Sequence, residues 1–203
     1  MSSVLPLHEA QVEHAGFVLS RAFYDDPFIS YVLSDPDHRF REGPWFFSVA
    51  LRAVLGFGRV DTDERVAGAA VWLPPGTASV SDDAFADAGF VDAPRRLGAE
   101  ALARFAQNLD HIAALHERLM PAPHWYLMIL GVDPPYQGRG VGGELMQPVL
   151  AHCDREGIPA YLETQKARNV PFYRKHGFEV VHETEAPTGG PHWWLMSRAP
   201  NPT

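Results

Sequence analysis

Residues 132–143 read Val-Asp-Pro-Pro-Tyr-Gln-Gly-Arg-Gly-Val-Gly-Gly, with four glycines in the last six positions. Before them stands a continuous apolar run, 124–132, of the kind that forms a central strand covered on both faces. After them, Val141, Leu145, Val149 and Cys153 repeat at helical spacing. A buried strand therefore passes through a glycine-rich turn into an amphipathic helix. The first N–H groups of a helix have no internal partner and sit at the positive end of its dipole. Glycines let an anion come close to them, so this turn predicts an anion cradle, with a plain glycine turn as the bland alternative.

Two nucleotide-binding patterns can be weighed on the same residues. A P-loop ends in Gly-Lys-Ser/Thr, and no lysine occurs here. A dinucleotide fingerprint, G-x-G-x-x-G, is met by Gly138, Gly140 and Gly143, although the acidic residue expected about 20 positions on would be only Glu156 or Glu163. This alternative stays open on pattern alone.

The rest of the chain narrows the class. With 203 residues and 46% hydrophobic content it can build one ordinary core without staples. A net charge of −8 argues against a nucleic-acid or anionic-membrane partner, both of which need a basic footprint. The single Cys153 excludes an internal disulfide framework, and the ten histidines form no His-Glu-x-x-His or tight cluster, so no metal is expected. Neither an apolar span of about 18 residues nor a signal-like N-terminus is seen, and the expected location is cytoplasmic.

Periodicity predicts a short strand at 5–7, helices at 9–23, 27–32 and 45–55, and a hairpin of 59–63 with 65–73 around a tight 62–64 turn. Residues 76–123 turn rich in Ala, Asp, Arg and Leu and read as a helical insertion within a single domain, 1–203. Then come a strand at 124–132, a helix at 138–155, a strand at 159–163 and a helix at 169–176. Strands at 178–183 and 193–198 close the chain across a 187–191 turn.

The segment Gln137-x-x-Gly140-x-Gly142 resembles the pyrophosphate loop, Gln/Arg-x-x-Gly-x-Gly/Ala, of the GNAT N-acetyltransferases. Residues 125–132 resemble that family's fourth strand, Ala160-Tyr-Leu-Glu163-Thr its fifth, and Asn169-Val-Pro-Phe-Tyr173-Arg-Lys-His-Gly177-Phe178 its tyrosine-bearing helix with the following Gly-Phe. The resemblance is specific over 124–198 and loose over 1–74. Within the family it is most similar to the actinobacterial, puromycin N-acetyltransferase-like branch, through Leu162-Glu163-Thr164, Asn169-x-Pro171-x-Tyr173 and Trp194-Leu195-Met196.

The resemblance implies an α/β (α+β) fold: a mixed sheet of six or seven strands with splayed central strands, flanked by helices. It implies acetyl-CoA as cosubstrate, no metal, and transfer of acetyl to a primary amine of a small molecule by direct attack in a ternary complex. Main-chain groups of Leu130 and Val132 would bond the pantetheine arm. Gln137, Gly138, Arg139, Gly140, Val141, Gly142 and Gly143 would hold the pyrophosphate, and Asn169 would touch the cofactor, although Asn is also a preferred helix cap. Tyr173 would protonate the leaving thiolate and Glu163 would act as base or amine-binding carboxylate. Asp25, Asp26, Tyr126 and Trp194 are candidates for the acceptor pocket, with an Asp-Pro turn as the bland account of the first two. The acid excess would suit a cationic amine, and a homodimer is compatible with the family. A non-catalytic acyl-CoA-binding module and, less favoured, a dinucleotide enzyme are the rivals.

Overall fold

The computed structural model describes residues 3–77, 79–186 and 189–201. Seven strands form one sheet in the order β1-β2-β3-β4-β5-β7-β6. They are β1 (Val4–Pro6), β2 (Arg59–Asp63), β3 (Gly68–Leu73), β4 (Trp125–Val132), β5 (Ala160–Thr164), β6 (Glu179–Glu185) and β7 (His192–Arg198). All neighbouring strands are antiparallel except β4 and β5, which run parallel. A parallel pair needs a crossover, and α7 (Val141–Glu156) provides it on one face. With α8 (Val170–Lys175), α7 covers a core holding Trp72, Leu145, Met146, Leu162, Tyr173 and Met196.

The opposite face carries α1 (Val12–Ala22), α2 (Pro27–Val32) and α3 (Pro36–Leu55). It also carries the insertion, which folds into α4 (Asp82–Asp87), α5 (Ala93–Leu97) and α6 (Ala99–Leu119). Leu19, Phe28, Leu51, Leu115, Tyr161, Trp193 and Leu195 belong to this second core.

Among the boundaries that differ from the sequence reading, three have a clear local reason. Helix α3 begins at Pro36, nine residues before the expected 45, because Asp35 is a cap: its carboxylate accepts from the Asp37 N–H at 2.9 Å and Pro36 opens the helix. Strand β3 begins at Gly68 because a longer turn, in which Asp63 accepts from the Ala67 N–H at 2.6 Å, consumes the residues before it. Helix α7 begins at Val141, since Gly138 and Gly140 take φ of +73° and +88°, which a right-handed helix excludes. The closing turn was expected at 187–191; Pro187 and Thr188 lie outside the described residues.

Candidate active site

The β4–β5 pairing stops early. Its partners are Trp125 with Ala160, Tyr126 with Tyr161 and Leu127 with Leu162, while β4 continues to Val132 along β3. Next to the last pair, β4 carries an irregularity: Val71 faces Ile129 but Trp72 faces Leu127, which leaves Met128 as the extra residue of a bulge. Bulges sharpen local twist, so the second half of β4 swings away from β5. The Asp133 N–H donates to the Ala67 carbonyl at 2.8 Å, which sets the phase of the β3–β4 ladder. By alternation, Ile129 and Gly131 bond toward β3, and the main-chain groups of Leu130 and Val132 turn toward the opening. A glycine completes this edge. A Cβ on Gly131 would lie 2.5 Å from Leu19 Cδ2 and 2.8 Å from Phe23 Cε2, so its absence lets α1 sit tight against β4.

At the end of β4 the glycine turn presents its amides. Gly140 stands at the N-cap position with no side-chain cap, and the first ladder bond of α7 is Glu144 N–H to Gly140 carbonyl at 3.0 Å. No loop hydrogen bond of normal geometry uses a backbone N–H from Gly140 to Gly143 among the described residues. A helix of 16 residues stands behind them. This matches what an anionic pyrophosphate requires, namely a row of free donors at a dipole's positive end. Gln137 does not aim at that row: its amide nitrogen donates to the Val132 carbonyl at 2.9 Å and so closes the loop onto the strand. Arg139 lies over the Tyr136 ring at 5.8 Å and is exposed.

On the α1–α3 and α6 face of the opening, Glu163 of β5 stands with Tyr126 and Tyr161. Burial raises its carboxyl from 4.5 to about 7, against the two tyrosine hydroxyls, which favour the anion. Both tyrosines are themselves pushed upward by burial and by the Glu163 charge. The buried Tyr161 hydroxyl makes no hydrogen bond of normal geometry among the described residues. The sequence reading did not single out Tyr161, although the alternation of a strand puts it on the same face as Glu163.

Tyr173, on α8 across the sheet, is buried, and burial followed by the charge of Asp26 raises its hydroxyl well above the ordinary phenol value. The hydroxyl therefore stays protonated. Asn169 donates to Thr164 Oγ1 at 3.0 Å, bracing the β5–α8 connection, and makes no side-chain cap bond.

The remaining candidates already hold partners. Asp25 is bonded to Lys166 at 2.5 Å and Arg168 at 3.2 Å, and Lys166 first of all lowers its carboxyl. The buried Asp26 caps α2 by accepting from the N–H groups of Phe28 and Ile29 at 3.0 and 3.3 Å. Trp194 packs with the α7 core, 4.3 Å from the His192 ring, whereas Trp193 packs against Phe28 at 5.2 Å on the face of Tyr126 and Glu163. Among the described residues, no three His, Cys, Asp or Glu side chains come together to hold a metal, and no helix is long and apolar enough to cross a membrane.

Known proteins resemble this chain in sequence and fold. Residues 20–178, well over half of the chain, match the model of the Acetyltransferase (GNAT) family. An uncharacterised N-acetyltransferase of Schizosaccharomyces pombe is 29% identical over 172 residues, covering 81% of this chain and 69% of its own. A mycothiol acetyltransferase of Propionibacterium freudenreichii is 37% identical over 62 residues, only 29% of this chain and 20% of that protein. Among solved structures, the histone acetyltransferase HPA2 and related acetyltransferase from Corynebacterium glutamicum superposes with a TM-score of 0.72 at 23% identity over 98% of this chain and 97% of its own. A polyamine N-acetyltransferase of Drosophila melanogaster gives 0.62 at 15% identity over 98% and 100%. At these identities the structures establish the fold. Taken with the splayed β4–β5 pair and the free amides of the glycine turn, the family match places this chain in the GNAT family, as an acyl-CoA-dependent acetyltransferase.

Proposed function

We propose that the protein transfers acetyl from acetyl-CoA to a primary amine of a small, cationic molecule, by direct attack in a ternary complex. The observation that carries this reading is Glu163, a partly buried carboxyl raised to about 7 at the edge of the β4–β5 opening. An alkylammonium must shed a proton before its nitrogen can attack, and a base serves best when its proton affinity lies near the working pH. Glu163 meets that requirement. Tyr126, beside it on β4, would contribute to the acceptor wall.

When bound, acetyl-CoA supplies a thioester activated for transfer. The amides from Gly138 to Gly143 would hold its pyrophosphate, and the Leu130 and Val132 main chain its pantetheine arm. Arg139 is free to add a cation, while Gln137 and Asn169 would act by holding the loop and the β5–α8 turn in shape. Tyr173 keeps a proton for the departing thiolate. Asp25, Asp26 and Trp194, whose polar or aromatic groups are engaged elsewhere, would shape the surroundings of the acceptor rather than grip it.

Arylalkylamine and polyamine N-acetyltransferases among the structural neighbours support an amine acceptor, as does the net charge of −8. The motifs shared with puromycin N-acetyltransferase-like proteins favour that branch. We further read residues 76–123 as an insertion within one domain that works in the cytoplasm, and a homodimer as compatible with it.

Thiol release from acetyl-CoA with a panel of mono-, di- and polyamines tests the proposal. Amine-dependent release is expected. Tight CoA binding with silence across the panel would favour a non-catalytic acyl-CoA module, and binding of NAD without CoA would overturn the reading.

A further inference from the structure

Behind Tyr161 the inserted helix α6 contributes a buried histidine that the reaction above does not use. The His116 ring stacks on the Tyr161 ring, centroids 4.1 Å apart and planes 17° from parallel, and meets the Tyr126 ring edge-on at 4.7 Å. Its Nε2 lies 2.6 Å from Nε2 of His124, at the foot of β4. His124 Nδ1 in turn lies 2.8 Å from the Ala122 carbonyl oxygen. A carbonyl only accepts, so His124 Nδ1 carries a hydrogen; in the neutral ring Nε2 is then the lone-pair nitrogen, and His116 Nε2 donates to it. Burial first, then the neighbouring imidazole, lowers His116 to about 4, so it is neutral in this role. Every link is directional: Ala122 orients His124, His124 orients His116, and His116 presses its face on Tyr161.

We propose that His116 is a positioning residue for Glu163: by stacking on Tyr161 it holds that phenol on the Glu163 face of β5, near the carboxyl, and thereby ties the insertion to the proton-accepting group of the site. Tyr126 and Tyr161 are the side chains whose hydroxyls favour the Glu163 anion. Both phenols project from strands, but that of Tyr161 is buried, makes no hydrogen bond of normal geometry among the described residues and lies face-on against the His116 ring. A neutral histidine suits the position, because it packs on the phenol without adding a charge that would compete with the substrate ammonium for Glu163.

The proposal rests on Glu163 as base, and the test separates the two ideas. The side-chain carboxyl of Glu163 is titrated by 13C NMR in the full-length protein, its signal assigned by loss in Glu163→Gln. His116→Leu keeps much of the volume but removes the stack and the bond to His124; His116→Phe restores the stack alone. The Glu163 midpoint is expected to rise by about half a unit in His116→Leu, which lowers the anion fraction, and kcat/KM at a pH below the midpoint, about threefold. In His116→Phe it should return close to the wild-type value, with KM for acetyl-CoA unchanged throughout. A merely structural role would lower the melting temperature without moving the midpoint. An unmoved midpoint in folded His116→Leu overturns the proposal. So does an unmoved midpoint in Tyr161→Phe, which keeps the ring and decides the matter even if His116→Leu does not fold. Should the midpoint move while the pH profile of kcat/KM ignores it, the positioning stands and the base assignment falls.

Discussion

Glu163 and Tyr173 stand on opposite faces of the sheet, and the roles proposed for them ask for opposite proton traffic. Glu163 is raised only to about 7, within reach of ordinary pH, while Tyr173 is raised beyond it and keeps its proton. Glu163→Gln should therefore lower kcat/KM by about 10²–10⁴-fold and abolish the rise of the profile centred near 7; a retained rise would place the base elsewhere. Tyr173→Phe should reduce kcat while leaving acetyl-CoA affinity nearly intact, as measured by pre-steady-state turnover beside calorimetry. Both residues were legible in the sequence through the family motif. Tyr161, His116 and His124 were not, because their roles come from contacts between a strand, an inserted helix and the strand after it.

At the scale of elements, the β4–loop–α7 unit was the most legible part of the chain. Its apolar run, glycine turn and amphipathic helix predict one another. The structure changed the reason for its glycines. Space around Gly138 and Gly140 is open, so a side chain would not be crowded by protein atoms; positive φ is what demands glycine. Gly140→Val should force the turn out of the left-handed region and misalign the free amides. CoA affinity is expected to fall about tenfold or more, equivalent to about 1.4 kcal/mol, by calorimetry. Gly131 has the other reason, close approach. Gly131→Ala should press on Leu19, Phe23 and Ala22 and cost about 1–3 kcal/mol, read from denaturant unfolding; an unchanged midpoint would show that α1 yields freely. Nothing in the one-dimensional pattern distinguishes the two kinds of glycine.

Across the whole molecule, placing Glu163 in a shielded opening links function to stability. The folded state holds its proton more tightly than the unfolded chain, where the carboxyl keeps its ordinary value of 4.5. The corresponding stabilisation is complete below 4.5 and is lost as pH rises through about 7. Glutamine cannot ionise. The melting temperature of Glu163→Gln, relative to wild type at the same pH, should therefore climb between pH 4.5 and 7 and level off above. A flat difference across that window would mean that the carboxyl is not held in the proton-retaining environment described. Expected boundaries failed mainly at the ends of helices and turns. Asp35-Pro36 reads equally as a break or as a helix start, and only the length of α3 on the sheet decides between them.

The sequence by itself determined the order of the main elements and the glycine turn between strand and helix, and it pointed to the two residues proposed to move protons. Periodicity, turn chemistry and motif spacing are local properties, and these features rest on them. Only the tertiary structure decided where β4 leaves β5, through the bulge at Met128. It alone showed that Asp25 and Asp26 are bound to partners, by ion pairing with Lys166 and by capping α2. It also assigned Trp193, not Trp194, to the face of Glu163, and set a histidine from the insertion beneath Tyr161. These depend on register and on contacts between residues far apart in the chain, which no local pattern encodes.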